Sequence, residues 1–197
     1  DNIRPFHSSP ILIRGQEVLV ARTGYTGEDG VELMPKTQDT EWLWSMLLEN
    51  NVTPCGLGAR DVLRLEAGLP LHGSDISVEV TPFEAGLERF VKSKRSYCGM
   101  EAIQERLSSE NQMRMIGFEL IEKGPIPRTH STIVNNNIPV GEVSSGGYSP
   151  TLDRNIGLGY VPIRLASPGS EIQIDIRGKI AKAMIVSLPF YNRRRQP

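Results

Sequence analysis

The sequence predicts an α+β protein whose carboxy-terminal part folds as a small β-barrel or sandwich. Two observations carry this. Before residue 112, apolar residues recur at helical spacing in several stretches. From about Gln112 the chain breaks into short β-rich runs separated by Gly, Pro and Asn turns. Size is compatible, because 197 residues suffice for one large domain or two small ones with a hydrophobic core.

Taken in order, residues 10–22 read as a β-hairpin, two apolar runs divided by the polar turn Arg14-Gly15-Gln16. A glycine-punctuated loop, Thr23 to Gly30, leads into a short strand Val31–Met34 stopped by Pro35. Asp39 or Thr40 can cap a helix running to about Asn50, with Trp42, Met46 and neighbouring leucines facing a core. A second helix is expected over Gly58–Ala67, since Val62, Leu65 and Leu69 recur at three- to four-residue spacing and Gly68 and Pro70 end it. Helical stretches follow at Phe83–Phe90 and Gly99–Leu107, joined by the exposed basic stretch Lys92-Ser93-Lys94-Arg95. The β runs beyond are Met115–Ile121, Thr132–Val134, Ile156–Val161, Glu171–Ile176 and Ala181–Leu188. A domain boundary is expected near residue 112.

Composition narrows the function classes. The 22 Lys and Arg nearly balance 23 Asp and Glu, so no net field drawing the chain to nucleic acid or an anionic membrane is implied, and a small or neutral partner fits better. Cys55 and Cys98 are far apart with no CxxC or Cys/His grouping, which argues against a disulfide framework and a zinc site and for a reducing compartment. His7, His72 and His130 are scattered without ligand spacing and read as structural. No GxSxG or HExxH pattern is present, disfavouring nucleophilic and zinc hydrolase chemistry. No apolar run approaches the roughly 18–20 residues that cross a bilayer, and the start Asp1-Asn2-Ile3 has neither the features of a signal peptide nor a methionine.

Two segments are candidates for a site. Gly24-Tyr25-Thr26-Gly27-Glu28-Asp29-Gly30-Val31-Glu32 combines glycines, which let the backbone turn tightly beside a ligand, with a ring at Tyr25 and a carboxylate at Glu32. On composition alone it reads as a plain turn, and it matches neither phosphate-loop pattern. In Gly58-Ala59-Arg60-Asp61-Val62-Leu63-Arg64-Leu65-Glu66, Arg60 and Arg64 lie one helical turn apart with Asp61 and Glu66 as available partners. Such a helix carries solvated ion pairs, or else Arg60 points into a site as a carboxylate or ring clamp.

Together these segments resemble the T-protein family of the glycine cleavage system. The resemblance is carried by Arg22 to Glu32, by Gly58 to Gly68 with Gly73-Ser74-Asp75-Ile76, and by Thr81-Pro82-Phe83-Glu84-Ala85-Gly86-Leu87. It continues through Gly146-Gly147-Tyr148-Ser149-Pro150-Thr151-Leu152, Asn155 to Val161, and the closing Pro189-Phe190-Tyr191. It implies an aminomethyltransferase: the methylene of an aminomethyl group on the lipoyl arm of the H-protein passes to tetrahydrofolate, and ammonia is released. It also implies a three-domain ring around the folate. Residues 1–80 would form part of the first folate-binding domain, 81–112 a helical part of the second, and 113–197 the carboxy-terminal β-barrel.

Within that resemblance Glu32 holds the pterin's N–C–N edge by paired hydrogen bonds, Tyr25 packs beside the ring and Arg60 contacts substrate. An arginine just after Pro-Phe-Tyr, one of Arg193, Arg194 and Arg195, comes near the same site, a solvated tail being the other reading of those three. The family aspartate proposed to be catalytic belongs to a long amino-terminal portion preceding the point where this chain begins, so no catalytic residue is expected here, no metal ligand is expected, and the natural protein is expected to be longer. The expected setting is the bacterial cytoplasm, with the mitochondrial matrix as the alternative. Two other readings share the fold: a folate domain of the dimethylglycine or sarcosine dehydrogenase type, and a folate-binding protein without transferase activity, like the iron–sulfur assembly relatives.

Overall fold

In the computed structural model, which describes residues 3–91, 96–109 and 112–192, the hairpin closes on two residues. Arg14 and Gly15 both take positive φ, 48° and 85°. That is the mirror-image turn whose twist suits a two-residue hairpin. It joins β1 (Ser8–Ile13) to β2 (Gln16–Ala21), with Ile13 opposite Gln16. The central β2 also pairs antiparallel with β3 (Glu32–Pro35), so the sheet order is β1-β2-β3. Pro35 ends β3 from within, one residue later than the sequence suggested.

One face of this sheet is apolar at alternate positions, as strand geometry requires. Val18 and Val20 are buried there with Leu43 of α1 (Thr40–Glu49), and Ile11, Ile13, Leu33, Trp42 and Met46 pack around them. These elements belong to the first of two compact units, which runs to Arg64; the second is Leu65–Asn192. Helix α2 (Leu57–Glu66) contributes residues to both. It ends where Gly68 turns left-handed at φ 65°, the stop expected from its glycine.

Thr81 to Phe90 departs from the sequence reading. A helix was expected over Phe83–Phe90; the segment forms turns and then a single 3-10 turn, Glu88–Phe90. A helical start is present, since the Thr81 N–H and hydroxyl both donate to Glu84 Oε2 (2.9 and 2.8 Å) and the Glu84 N–H donates to Thr81 Oγ1 (3.2 Å). That reciprocal cap cannot propagate because Gly86 takes φ 72°, which breaks the turn. α3 (Met100–Leu107) forms close to its expected place, and Lys92-Ser93-Lys94-Arg95 lies outside the described residues.

Beyond it six strands close a barrel: β4 (Met113–Leu120), β5 (Thr132–Asn135), β6 (Ile138–Ser149), β7 (Arg154–Pro162), β8 (Glu171–Ile176) and β9 (Lys179–Val186). They run in the order β4-β7-β6-β5-β8-β9 and close through β9 pairing with β4, which decides for a barrel over a sandwich. Ile116, Phe118 and Leu120 of β4 and Ile172, Ile174 and Ile176 of β8 alternate into one core with Ile133, Val143, Val161 and Ile185.

The longest strand, β6, was not expected from the sequence. Its Pro139, Gly141, Gly146 and Gly147 read as turn residues. The glycines are there for space. A Cβ on Gly141 would lie 1.8 Å from the Tyr160 carbonyl oxygen, and one on Gly146 would lie 2.5 Å from that of Pro127. Neighbouring backbone comes too close for any side chain.

Candidate functional site

The loop from Arg22 to Glu32 is pinned at both ends. Arg22 forms a two-pronged pair with Asp29, Nε to Oδ1 at 2.9 Å and Nη2 to Oδ2 at 2.8 Å, while its Nη1 donates to the Ile3 carbonyl at 2.9 Å. The pair spans the glycine-rich stretch like a strap, and the adjoining carboxylate holds the Arg22 guanidinium above its ordinary pKa. Inside the strap, Gly27 turns at φ 74° and Thr26 Oγ1 accepts from the Glu28 N–H at 3.4 Å. At the far end Glu32 begins β3, opposite Ala21, and its carboxylate accepts from the Thr23 hydroxyl.

Arg60 reaches this loop. Its guanidinium carbon stands 5.2 Å from the centre of the Tyr25 ring, a cation–π contact. At an exposed place this is worth about 0.5–1 kcal/mol. The helix explains why Arg60 is available for it: Arg64, one turn on and buried, turns back on Asp61 through Nε and Nη2, both at 2.7 Å. The two arginines therefore do different work, although the sequence placed them on one face.

Of the residues expected in a site, Tyr25 and Arg60 are in contact and Glu32 is tied through Thr23 to the same loop. Arg193, Arg194 and Arg195 lie outside the described residues. Sequence reasoning gave no role to Arg22, Thr23 or Asp29. The available signal was an arginine and an aspartate bracketing a glycine-rich stretch, a spacing that closes only when the loop folds back. Chemically, the group presents an aromatic face, an arginine with its remaining guanidinium donors, and an exposed carboxylate suited to two neighbouring donors on a planar ligand.

The second unit holds two buried carboxylates of another kind. Asp75 accepts from the Leu71 N–H (2.8 Å), Ser144 Oγ (2.5 Å) and Ser145 Oγ (2.9 Å), and the Tyr160 hydroxyl donates to its backbone carbonyl at 2.7 Å. Burial, helped by the charges of Asp75 and Glu84, pushes the Tyr160 hydroxyl up, so it stays a donor. Glu66 accepts from Ser149 Oγ (2.5 Å), Thr151 Oγ1 (2.9 Å) and the Thr151 N–H (3.3 Å). Carboxylates so thoroughly engaged act as ties between chain segments. A cavity of about 800 Å³ opens on the barrel beside Tyr148, Asp153 and Lys123; none of Tyr25, Glu32 and Arg60 lines it. Among the described residues no group of His, Cys, Asp and Glu could hold a metal ion, and no helix is long and apolar enough to cross a membrane.

Comparison with known proteins agrees across both units. Residues 1–95 match the family model described as the GCVT N-terminal domain, and residues 114–192 match the glycine cleavage T-protein C-terminal barrel domain. The aminomethyltransferase of Bacillus mycoides is 44% identical over 189 residues, 93% of this chain and 51% of that protein. That of Prochlorococcus marinus is 42% identical over 193 residues, covering 96% and 52%. Among solved structures, the glycine cleavage system aminomethyltransferase T of Bartonella henselae superposes with a TM-score of 0.80 at 34% identity, over 88% of this chain and 50% of that one. The chain thus spans about half the length of the relatives it matches.

Proposed function

The chain belongs to the glycine cleavage T-protein family, and on that premise we propose that its first unit forms one wall of a tetrahydrofolate site in an aminomethyltransferase. The observation that carries the reading is the contact of Arg60 with Tyr25 beside a loop whose other end presents Glu32. The donor set suits the ligand. A carboxylate offers two acceptors to the two adjacent donors of an aminopyrimidinone edge, a tyrosine ring packs against a flat heterocycle, and a guanidinium binds an anionic or carbonyl oxygen. The strap between Arg22 and Asp29 holds the Tyr25 loop in shape before any ligand arrives, which lowers the ordering cost of binding.

When bound, tetrahydrofolate supplies the amines that receive the one-carbon unit. The partner is the lipoylated H-protein, whose aminomethyl group gives up its methylene with release of ammonia. The residues of this chain bind and orient the folate so that its amines meet the incoming carbon, and orientation of this kind accounts for much of the advantage of an enzyme-bound reaction. One of Arg193, Arg194 and Arg195 is a further candidate for the same site. Residues 1–80 are read as part of the first folate-binding domain and 81–112 as part of the second, in a protein of the bacterial cytoplasm.

Titration of the chain with tetrahydrofolate tests the reading, followed by a transfer assay with aminomethyl-loaded H-protein and ammonia as the readout. Replacing Glu32 by Gln, which keeps one acceptor and puts a donor in the other's place, is expected to weaken folate binding by about tenfold or more. Equal affinities for the wild type, Glu32→Gln and Tyr25→Ala would sink it. Binding without ammonia release would favour a folate-binding protein over a transferase.

A further inference from the structure

The carboxylate of Glu32 is exposed, and its strand alone does not aim it. Pairing of Glu32 with Ala21 places Cα and Cβ, but χ1, χ2 and χ3 remain to be set. A ligand that needs both carboxylate oxygens in one plane must order such a side chain on binding, unless something has ordered it beforehand. An ion pair is one means. Arg22, at the root of the same loop, is committed elsewhere: Nε and Nη2 donate to Asp29 and Nη1 to the Ile3 carbonyl. Among the described residues Glu32 makes no ion pair, and the side chain that holds it is Thr23, whose hydroxyl donates to Oε2.

We infer that Thr23 is a positioning residue of the proposed folate site, its hydroxyl setting the plane of the Glu32 carboxylate before the ligand arrives; the inference rests on the functional reading above. The choice of a hydroxyl has a chemical consequence. A guanidinium in its place would hold the carboxylate but also neutralise it and occupy both oxygens. The hydroxyl takes one acceptor site on Oε2 and leaves a second there and two on Oε1, with the negative charge intact. Two neighbouring donors of a planar ligand can then bond one oxygen each without displacing Thr23. The tether is itself held. Thr23 is half-buried, follows the Arg22 whose pair with Asp29 straps the loop, and is β-branched, which stiffens the bond that carries its hydroxyl. A hydrogen bond open to water adds little to fold stability, so the effect of this one belongs in binding.

The test titrates tetrahydrofolate into the full chain carrying Thr23→Val, which keeps the shape and removes the donor. Affinity is expected to fall about three- to tenfold, the size of ordering one long side chain on binding instead of beforehand, with the melting curve unchanged. Thr23→Ser, which keeps the hydroxyl, is expected to bind better than Thr23→Val, and Thr23→Val added to Glu32→Ala is expected to cost nothing further. Should Thr23→Val disturb folding, Thr23→Ala must show the same loss and the same dependence on Glu32. Equal affinity of Thr23→Val and the wild type, an equal loss in Thr23→Ser, or a full penalty on top of Glu32→Ala would each overturn the proposal, the last by showing that Thr23 acts on the loop and not through Glu32. The ligand-free chain gives a separate reading. There Thr23→Val is expected to shift the Glu32 side-chain carboxyl 13C resonance while Thr23→Ser leaves it near its wild-type place; a resonance unmoved by Thr23→Val overturns the tether. No binding of tetrahydrofolate by the wild type, with the resonance moving as expected, would count against the functional reading and leave the tether standing.

Discussion

The barrel and the three-stranded sheet use glycine in opposite ways. In the barrel a Cβ on Gly157 would lie 2.4 Å from the Phe118 ring and one on Gly141 would overlap the Tyr160 carbonyl, whereas nothing lies within 4 Å of a Cβ built on Gly24 or Gly30 in the loop of the first unit. The barrel glycines answer to neighbours already present. Gly24 and Gly30 answer to none and neither takes a positive φ, unlike Gly27 between them at φ 74°. Space left open in a loop held by a strap is space for a ligand to approach the backbone. A closed sheet with eleven buried core residues fixes geometry; an open one with three leaves surfaces for other molecules.

The largest effect that could break this comparison is Gly141→Ala. With the added carbon 1.8 Å from a backbone oxygen, either β6 or β7 must move, and a loss of about 3 kcal/mol or more in urea unfolding is expected. Gly24→Ala should stay within about 0.5 kcal/mol of the wild type while lowering tetrahydrofolate affinity. If the two substitutions cost the same stability, the distinction between filled and open glycines is wrong.

Next in size is Asp75→Ala, which leaves two serine hydroxyls and an N–H without their buried acceptor. About 2–3 kcal/mol is expected from chemical denaturation. Arg22→Ala also removes a two-pronged carboxylate pair, but one whose side chains are 34% and 55% exposed. Its effect on unfolding should stay within about 1 kcal/mol, with the larger change appearing in folate titration, because the loop it straps lies outside any core.

This contrast also explains what the sequence could disclose. The hairpin, both main helices and five barrel strands were legible because each is a local pattern, a turn signal or an apolar period. β6 was hidden because its glycines are dictated by Tyr160 and Pro127, residues distant in sequence. The expected helix at Phe83 was misleading for the opposite reason: its cap from Thr81 to Glu84 is real, and one backbone angle at Gly86 overrides it. Tyr25, Glu32 and Arg60 were named through the family resemblance, since their local composition reads as a turn and a solvated helix. Arg22 and Asp29 lie within the block that carries the resemblance, but their pairing depends on how the loop closes, and neither received a role from it. Buried Glu66, which looked like an ion-pair partner on its helix, receives its hydrogen bonds from Ser149 and Thr151, more than eighty residues on.

The smallest expected effect asks whether region or burial decides what a charged pair is worth. On the barrel side, Arg114 of β4 pairs with Glu88 at 2.9 Å, the side chains being 33% and 42% exposed. The hydrogen bond from Arg114 holds the Glu88 carboxyl below its ordinary pKa of 4.5. A carboxylate whose pKa is lower folded than unfolded stabilises the fold above the unfolded value and loses that contribution as pH falls through the folded one. Glu88→Gln, which leaves the Arg114 bond to the Phe83 carbonyl (2.7 Å) in place, should therefore cost stability at pH 7 and almost none well below pH 4.5. Solvent screening limits the pH 7 cost to about a few tenths of a kcal/mol, and added salt should shrink it further. Thermal melts of both proteins at the two pH values measure it. A near-zero cost would put this barrel pair with the exposed Arg22–Asp29 pair rather than with buried Asp75, so that burial, and not membership of the barrel, sets the scale. A cost approaching that of Asp75→Ala would mean that the closed sheet strengthens even its surface contacts.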